Sequence, residues 1–168
     1  MVYRSPDRRI RSLYWSTGPI GRDDLSGVAR TPAASGDPTA YYTPHDDAHQ
    51  VVYRSVDGHI WELYWNGVSP VAGWNLTAQS GAPQPVGGLA AYYSAGTNTK
   101  HVIYRSVDGR LHEIWWTPGG GVPAHVDITA AYGAPLAADQ PAAFTVEGPN
   151  TQHVTYRGTD NHIYEVIW

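Results

Sequence analysis

The stretch Tyr53–Trp65, which reads YRSVDGHIWELYW, occurs in four related copies along this chain. The repeat tyrosines stand at positions 3, 53, 104 and 156, so the intervals between them are 50, 51 and 52 residues. Each interval holds several short segments rich in aromatic and β-branched residues, separated by glycine and proline. A period of this length and content is typical of the blades of a β-propeller.

Each complete unit is predicted to form four β-strands, and helix has almost no place in the pattern. The pairs Asp57-Gly58 and Asp108-Gly109 predict tight turns between the second and third strands, because glycine readily adopts positive φ. Three triplets mark the predicted fourth strand: Asp24-Leu25-Ser26, Asn75-Leu76-Thr77 and Asp127-Ile128-Thr129. The sequence therefore predicts an all-β propeller, a single domain over 1–168 with units of about 1–36, 37–87, 88–139 and 140–168.

The outer units are incomplete in this interpretation. The chain begins at a second strand and ends at a third, which gives 14 strands arranged as three, four, four and three. Open sheet faces at both ends need a cover. Four short blades could close as one ring, but we expect a homo-oligomer, a head-to-tail dimer with at most about eight blade positions, to complete the ring.

The composition excludes several classes of partner. Charged residues make up 15% of the chain and the net charge is −4, with no cluster of lysine or arginine. Nucleic acids and acidic membrane surfaces both require basic patches, so we expect neither as a partner. Tryptophan (7) and tyrosine (12) are abundant against one phenylalanine. Such amphipathic rings suit packing between sheets or stacking on sugar rings.

Location and cofactors are only weakly constrained. The chain has no cysteine, no signal peptide and no apolar run long enough to cross a membrane. We expect a soluble protein without membrane insertion, either cytoplasmic or exported by a route that the sequence does not show. The run His45–His49 has metal-capable side chains but no partner cluster, so neither a metal nor a cofactor is predicted.

Glutamate recurs in the middle of the aromatic third strands. A repeated carboxylate there is costly unless it is paired or serves a ligand. One interpretation is a structural ion pair with the arginine that follows each repeat tyrosine, and the other is ligand binding. A two-residue hairpin turn would place the arginine and the glutamate on opposite faces, whereas a bulged turn would place them on the same face. The glutamates are Glu62, Glu113 and Glu165, the first copy has Ser12 instead, and the arginines are Arg54, Arg105 and Arg157.

These residues resemble the repeat of the fucose-binding β-propeller lectins of fungi and bacteria. The resemblance lies in Val-Val-Tyr, the turn glycine Gly58, the segment His59–Trp65 and the later Gly73-Trp74. It covers the two central repeats and part of the last. It implies sugar sites between adjacent blades, where a glutamate and an arginine hold hydroxyl groups and tryptophans stack on the ring. The implied sugar-binding residues are Glu62, Glu113, Glu165, Trp65, Trp116 and Trp168.

One family position differs here. The family arginine lies two residues before the repeat tyrosine, and this chain has Val51, Val102 and Val154 there. Arg54, Arg105 and Arg157 are the replacement donors that we include in the predicted site. Trp74 has no tryptophan counterpart at His125 or Arg22, so the sites should be unequal, and we rank the surroundings of Trp74 first.

The sequence thus predicts a multivalent, lectin-like carbohydrate-binding protein with glycans or monosaccharides as partners. It does not predict an enzyme, because a glycosidase needs two differently tuned carboxylates and the chain offers one repeated glutamate. The alternative is a non-catalytic propeller scaffold for protein interaction or self-assembly, with the glutamates in structural ion pairs.

Overall fold

A computed structural model describes residues 1–15 and 17–168, which form 14 β-strands in four antiparallel sheets. Each sheet is one blade of a β-propeller, and the strand counts of three, four, four and three are those predicted from the sequence.

Blade 1 contains β1 (Val2–Arg4), β2 (Ile10–Tyr14) and β3 (Gly21–Asp24). Blade 2 contains β4 (Thr39–Thr43), β5 (Ala48–Arg54), β6 (Ile60–Trp65) and β7 (Ala72–Asn75). Blade 3 contains β8 (Pro85–Ser94), β9 (Thr99–Ser106), β10 (Leu111–Trp116) and β11 (Ala124–Asp127). Blade 4 contains β12 (Ala142–Val146), β13 (Thr151–Arg157) and β14 (Ile163–Ile167).

The predicted hairpin between the second and third strands is confirmed, and its turn has the bulged form. In blade 2 the Ser55 N–H donates to the His59 carbonyl at 2.9 Å, which leaves a loop of three residues. Gly58 within that loop has φ +80°. The equivalent positions in the other blades also have positive φ: Arg8 (62°), Gly109 (84°) and Asn161 (67°). The position therefore imposes the left-handed backbone even where no glycine is available.

The bulged turn decides which side chains share a face. Arg54 pairs with Ile60 and Val52 pairs with Glu62 across the β5–β6 ladder. Because side chains of paired residues point to the same side of a sheet, Arg54 and Glu62 lie on one face.

The fourth-strand triplets have a different role from the one predicted. They end strands β3, β7 and β11 and begin three one-turn helices, α1 (Leu25–Val28), α2 (Leu76–Ser80) and α3 (Ile128–Tyr132). The first residue of each triplet is the N-cap, and its side chain accepts a hydrogen bond from the backbone N–H three residues later. The expectation of almost no helix was therefore wrong at these three positions, because a single turn without periodicity gives no helical signal.

The repeat tyrosine ties each blade to the linker that precedes it. Tyr53 donates its hydroxyl to the Pro32 carbonyl at 2.9 Å. The same bond joins Tyr104 to Pro83 and Tyr156 to Pro135, each at 2.9 Å. Burial of these polar hydroxyls requires such a partner, which explains why tyrosine recurs with the linker prolines.

The core lies in the three seams between successive blades. Neighbouring residues of a second strand point into different seams: Val51 packs toward blade 1 and Val52 toward blade 3. The buried clusters are Ile10, Leu25, Val51, Tyr53 and Leu63 in seam 1/2, Val52, Ile60, Val102, Tyr104 and Ile114 in seam 2/3, and Ile103, Leu111, Val154, Tyr156 and Val166 in seam 3/4.

The outer faces of blades 1 and 4 remain open to solvent. Trp15 at the end of β2 is 62% exposed, and Ile163 and Ile167 of β14 are also exposed. In the part of the chain that is described, no helix is long and apolar enough to cross a membrane.

Candidate functional site

A pocket of about 250 Å³ opens in seam 2/3. Three of the predicted site residues line it, namely Glu62 from β6, Trp74 from β7 and Trp116 from the end of β10. Glu62 reaches the seam because it lies on the face of blade 2 that is turned toward blade 3, and Trp74 pairs with it in the β6–β7 ladder. The structure therefore brings these three residues together at one place.

Lys100, near the start of β9, is the residue that the sequence interpretation missed. Its Nζ lies 3.8 Å from Glu62 Oε1 and 3.6 Å from Asp46 Oδ2. When the Gln50 amide is oriented with its oxygen toward the lysine, that oxygen accepts from Nζ at 3.0 Å. Both the Lys100 and Glu62 side chains are only 5% exposed. Lys100 is the only lysine of the chain, which was the signal available in the sequence.

Glu62 is the most perturbed carboxyl group of this pocket. Burial raises its pKa to about 7, while the charge of Lys100 acts in the opposite direction and Asp46 adds to the rise. Its Oε1 accepts no hydrogen bond from any residue in 1–15 or 17–168. A buried acceptor without a good hydrogen bond costs about 1–3 kcal/mol. A donor beside Glu62 is the buried hydroxyl of Tyr41, which also has no hydrogen-bond partner among the described residues and which acts to lower the pKa of Glu62.

The walls of the pocket are aromatic and the rim is rich in glycine. Trp74 is 47% exposed, so its indole ring is available to a ligand, whereas Trp116 is nearly buried. Leu76 closes the apolar side, and Gly119–Gly121 form part of the rim. An apolar wall beside a polar base suits a ring that has one apolar face and several hydroxyl groups.

Seam 3/4 contains the equivalent glutamate, Glu113, with a different hydrogen-bond partner. Glu113 Oε1 lies 2.7 Å from His101 Nδ1, and the other ring nitrogen of His101 lies 2.6 Å from the Thr99 hydroxyl. Tyr92 stacks on His101 with 4.8 Å between ring centroids. Trp168 stacks instead on Tyr132. The carboxylate in this seam is therefore already satisfied by its own blade.

Blade 4 and blade 1 differ from these two seams at the glutamate position. Glu165 pairs with His153 at 2.9 Å, and its side chain is 43% exposed on the open face of blade 4. In seam 1/2 the glutamate position is Ser12, and Trp65 stacks on His49 with 5.3 Å between ring centroids. The three seams are not equivalent.

The predicted arginines are not brought to the glutamates. Arg54 donates to the Ser35 carbonyl at 3.3 Å, and Arg157 pairs with Asp139 at 3.4 Å. Arg105 forms no salt bridge with any residue in 1–15 or 17–168. Among the same residues the repeated glutamates pair with Lys100, His101 and His153, so the alternative of structural ion pairs with arginine is wrong. Arg54 and Glu62 share a face but form no pair, because the Arg54 guanidinium turns toward Ser35 in the linker.

The strand registers change the two residues that the sequence analysis aligned with Trp74. Trp74 pairs with Glu62, and the residue that pairs with Glu113 is Val126. The residue that pairs with Ser12 is Asp23. The structural counterparts of Trp74 are therefore Val126 and Asp23, one residue away from His125 and Arg22. Val51, Val102 and Val154 are fully buried in the seams, and their equivalence to the family arginine stays a prediction.

Among the described residues, no group of three or more metal-ligating side chains is close enough to hold a metal ion. In the run His45–His49, Asp46 faces Lys100, Asp47 accepts a hydrogen bond from Tyr42, and His49 lies against Trp65.

No family model and no curated protein matches this sequence. Solved structures do match. The chain aligns over 99% of its length with 49% of AofleA from Arthrobotrys oligospora, in a variant with three arginines replaced by alanine, at a TM-score of 0.74 and 18% identity. The chain has the fold of that protein. It also aligns over 99% with 52% of the Aleuria aurantia lectin (TM-score 0.63, 16% identity) and over 78% with 91% of a fucose lectin from Kordia zhangzhouensis (TM-score 0.54, 16% identity).

The match is one of architecture. At these identities it establishes the β-propeller fold and not the ligand. The chain spans about half the length of the Arthrobotrys and Aleuria proteins.

Proposed function

We propose that this protein binds a carbohydrate in the pocket of seam 2/3. The observation that carries the proposal is the buried pair of Lys100 and Glu62 beside the exposed indole ring of Trp74. Lys100 donates hydrogen bonds, the Glu62 carboxylate accepts them, and the indole ring offers a flat apolar surface. Sugar rings present this same combination of hydroxyl groups and apolar C–H faces.

The ligand that fits is a single sugar ring. The volume of about 250 Å³ accommodates one monosaccharide and leaves the rest of a glycan outside. In this proposal Lys100 supplies the positive charge that an arginine supplies in the family, but as a point donor and not as a planar fork. The contact is therefore less selective for a pair of adjacent hydroxyl groups than a bidentate clamp.

Fucose is the first sugar to test. The Aleuria lectin was solved in complex with α-methyl-L-fucoside, and the Kordia lectin with methyl-fucoside. Both proteins share the fold of this chain, and this supports a fucose-type sugar here.

A role in binding is favoured over catalysis by the position of the carboxylates. Glu62 and Asp46 both contact one Nζ of Lys100, so they approach the pocket from one side. Hydrolysis of a glycosidic bond needs two carboxyl groups that flank it. A ligand in this pocket would meet both on the same side.

Multivalency and the head-to-tail dimer remain predictions. Seam 3/4 would bind sugar only after His101 releases Glu113. The open faces of blades 1 and 4 expose Trp15 and Ile163, apolar surface that a contact with a second copy would cover.

The test is a glycan array followed by calorimetry with methyl α-L-fucoside and with whichever monosaccharide competes on the array. We expect Glu62→Gln and Lys100→Gln each to weaken binding at least tenfold, because each removes a charge-assisted hydrogen bond. Glu147→Gln, at an exposed turn of blade 4, changes the net charge as Glu62→Gln does and should bind like the parent protein. Folded protein that binds no glycan would overturn the proposal and favour the scaffold.

A further inference from the structure

The arginine that follows each repeat tyrosine lies at the end of a second strand, where the linkers enter the next blades. Arg4, Arg54, Arg105 and Arg157 occupy equivalent positions there. The linkers align as Gly36-Asp37-Pro38, Gly87-Gly88-Leu89 and Asp139-Gln140-Pro141. The linkers that enter blades 2 and 4 contain an aspartate, and the linker that enters blade 3 does not.

Two of the four arginines form a salt bridge with an aspartate of a linker. Arg4 Nε lies 3.2 Å from Asp37, in the linker that enters the next blade. Arg157 pairs with Asp139 at 3.4 Å. Arg105 forms no salt bridge with any residue in 1–15 or 17–168, and its buried Nε has no hydrogen-bond partner there. Arg54 stands opposite the linker with two glycines and forms no salt bridge with any residue in the described ranges.

The Arg54 side chain is half-buried and its guanidinium has few hydrogen-bond partners. Its Nη2 donates to the Ser35 carbonyl at a long 3.3 Å. Its Nε is buried and has no hydrogen-bond partner among residues 1–15 and 17–168. Unpaired donors of a cation are expensive in a protein interior, and they favour an acceptor that the chain itself does not provide.

Arg54 faces a cavity of about 480 Å³ lined by Arg4, Asp37, Gly87, Gly88 and Gln140. Glycine keeps the cavity open next to the guanidinium: a Cβ at position 36 would lie 3.8 Å from Arg54 Nε and 4.0 Å from the Gly87 carbonyl oxygen. Asp37 is neutralised by Arg4. The two guanidinium groups and one carboxylate leave a charge of one positive unit, which is that of Arg54.

We propose that this cavity is a second binding site, separate from seam 2/3, that takes a small oxyanion such as phosphate or sulfate. The Arg54 guanidinium would hold the oxyanion through Nη1 and through Nη2, whose hydrogen bond to Ser35 is long. The oxyanion takes the place that an aspartate takes beside Arg4 and Arg157. Free ions and the sulfate or phosphate group of a modified sugar share this chemistry.

The test is calorimetry at constant ionic strength with inorganic phosphate, inorganic sulfate and a sulfated monosaccharide. We expect Arg54→Gln to weaken binding at least tenfold. Gly88→Asp should abolish it by supplying the acid that the other linkers have; the new side chain must displace only the flexible end of Gln140. Glu62→Gln, in the pocket of seam 2/3, should leave the binding of inorganic phosphate and sulfate unchanged, and binding of the sulfated sugar counts for this cavity only where Arg54→Gln weakens it.

Each outcome decides the proposal. Binding of the inorganic ions identifies free anions as sufficient, and binding of the sulfated sugar alone identifies a carrier as necessary; both support the site. No binding of any probe, or equal binding by the Gly88→Asp protein, would overturn it. Because Glu62 takes no part, failure here leaves the proposed sugar site untouched.

Discussion

Seams 2/3 and 3/4 have the same arrangement of strands and a glutamate at the equivalent position, yet a different residue pairs with that glutamate in each seam. In seam 3/4 His101 of the same blade bonds to Glu113, and Tyr92 covers the imidazole ring. In seam 2/3 the histidine position is Gln50, and Lys100 of the next blade approaches Glu62. One glutamate is paired within its blade, whereas the other depends on a lysine of the neighbouring blade. The surroundings of a repeated residue are therefore set by the residues beside it, which differ from blade to blade.

The largest expected effect comes from removing the lysine that distinguishes seam 2/3. Lys100→Gln leaves Glu62 and Asp46 without their cation, and breaking a buried pair in this way costs about 3–5 kcal/mol. We expect the free energy of unfolding, measured with urea at pH 8, to fall by about 3 kcal/mol. Lys100→Arg keeps the charge and should lose less than about 1 kcal/mol. Equal losses in the two variants would show that packing, and not charge, holds this seam.

The second prediction concerns pH. The folded pKa of Glu62, about 7, lies above its ordinary value of 4.5, so the folded protein binds more protons than the unfolded chain between these values. Stability from this group is complete below pH 4.5 and is lost as the pH rises through 7, by about 3 kcal/mol in total. Other groups also titrate in this window, so the measured quantity is the difference between the parent protein and Glu62→Gln. A difference that stays constant from pH 5 to pH 8 would contradict the assigned pKa.

The third prediction compares the two histidines. His101→Gln removes the partner of the buried Glu113 and should cost about 1–3 kcal/mol in the free energy of unfolding. His153→Gln removes the same bond from the exposed Glu165 and should cost less than about 1 kcal/mol, because solvent replaces it. Thermal or urea unfolding of both variants measures the two losses in the free energy of unfolding. A larger loss at His153 would mean that another chain buries the face of blade 4.

The smallest effect on stability is expected at Trp74, which can be exchanged for its counterpart in seam 3/4. Trp74→Val introduces the residue found at Val126 and should change the free energy of unfolding by less than about 1 kcal/mol, because the indole ring is half exposed. The same change should weaken sugar binding about tenfold through loss of the stacking surface. Calorimetry and unfolding on one sample separate the two results. Unchanged affinity would remove Trp74 from the site.

Much of the fold could be predicted because its signals are local. The 14 strands follow from short aromatic and β-branched segments between turns, and the hairpins follow from residues that tolerate positive φ. The three one-turn helices were missed because the capping residue Asp24, Asn75 or Asp127 directly follows a strand and the helix is too short to show a period. Glu62, Trp74 and Trp116 were each predicted as site residues, and the structure places all three around one pocket; their role in binding a sugar is still a prediction.

The sequence by itself determined the propeller and its division into four blades, because strand alternation and turn chemistry act over a few residues. Whether each repeated glutamate shares a face with the arginine depended on the form of the hairpin turn, which is bulged in the structure. Only the tertiary structure decided what pairs with each glutamate. Lys100 and Glu62 are 38 positions apart in different blades, and Asp46 reaches them from a loop. Such contacts depend on how two sheets pack and on where long side chains turn, so no local pattern contains them.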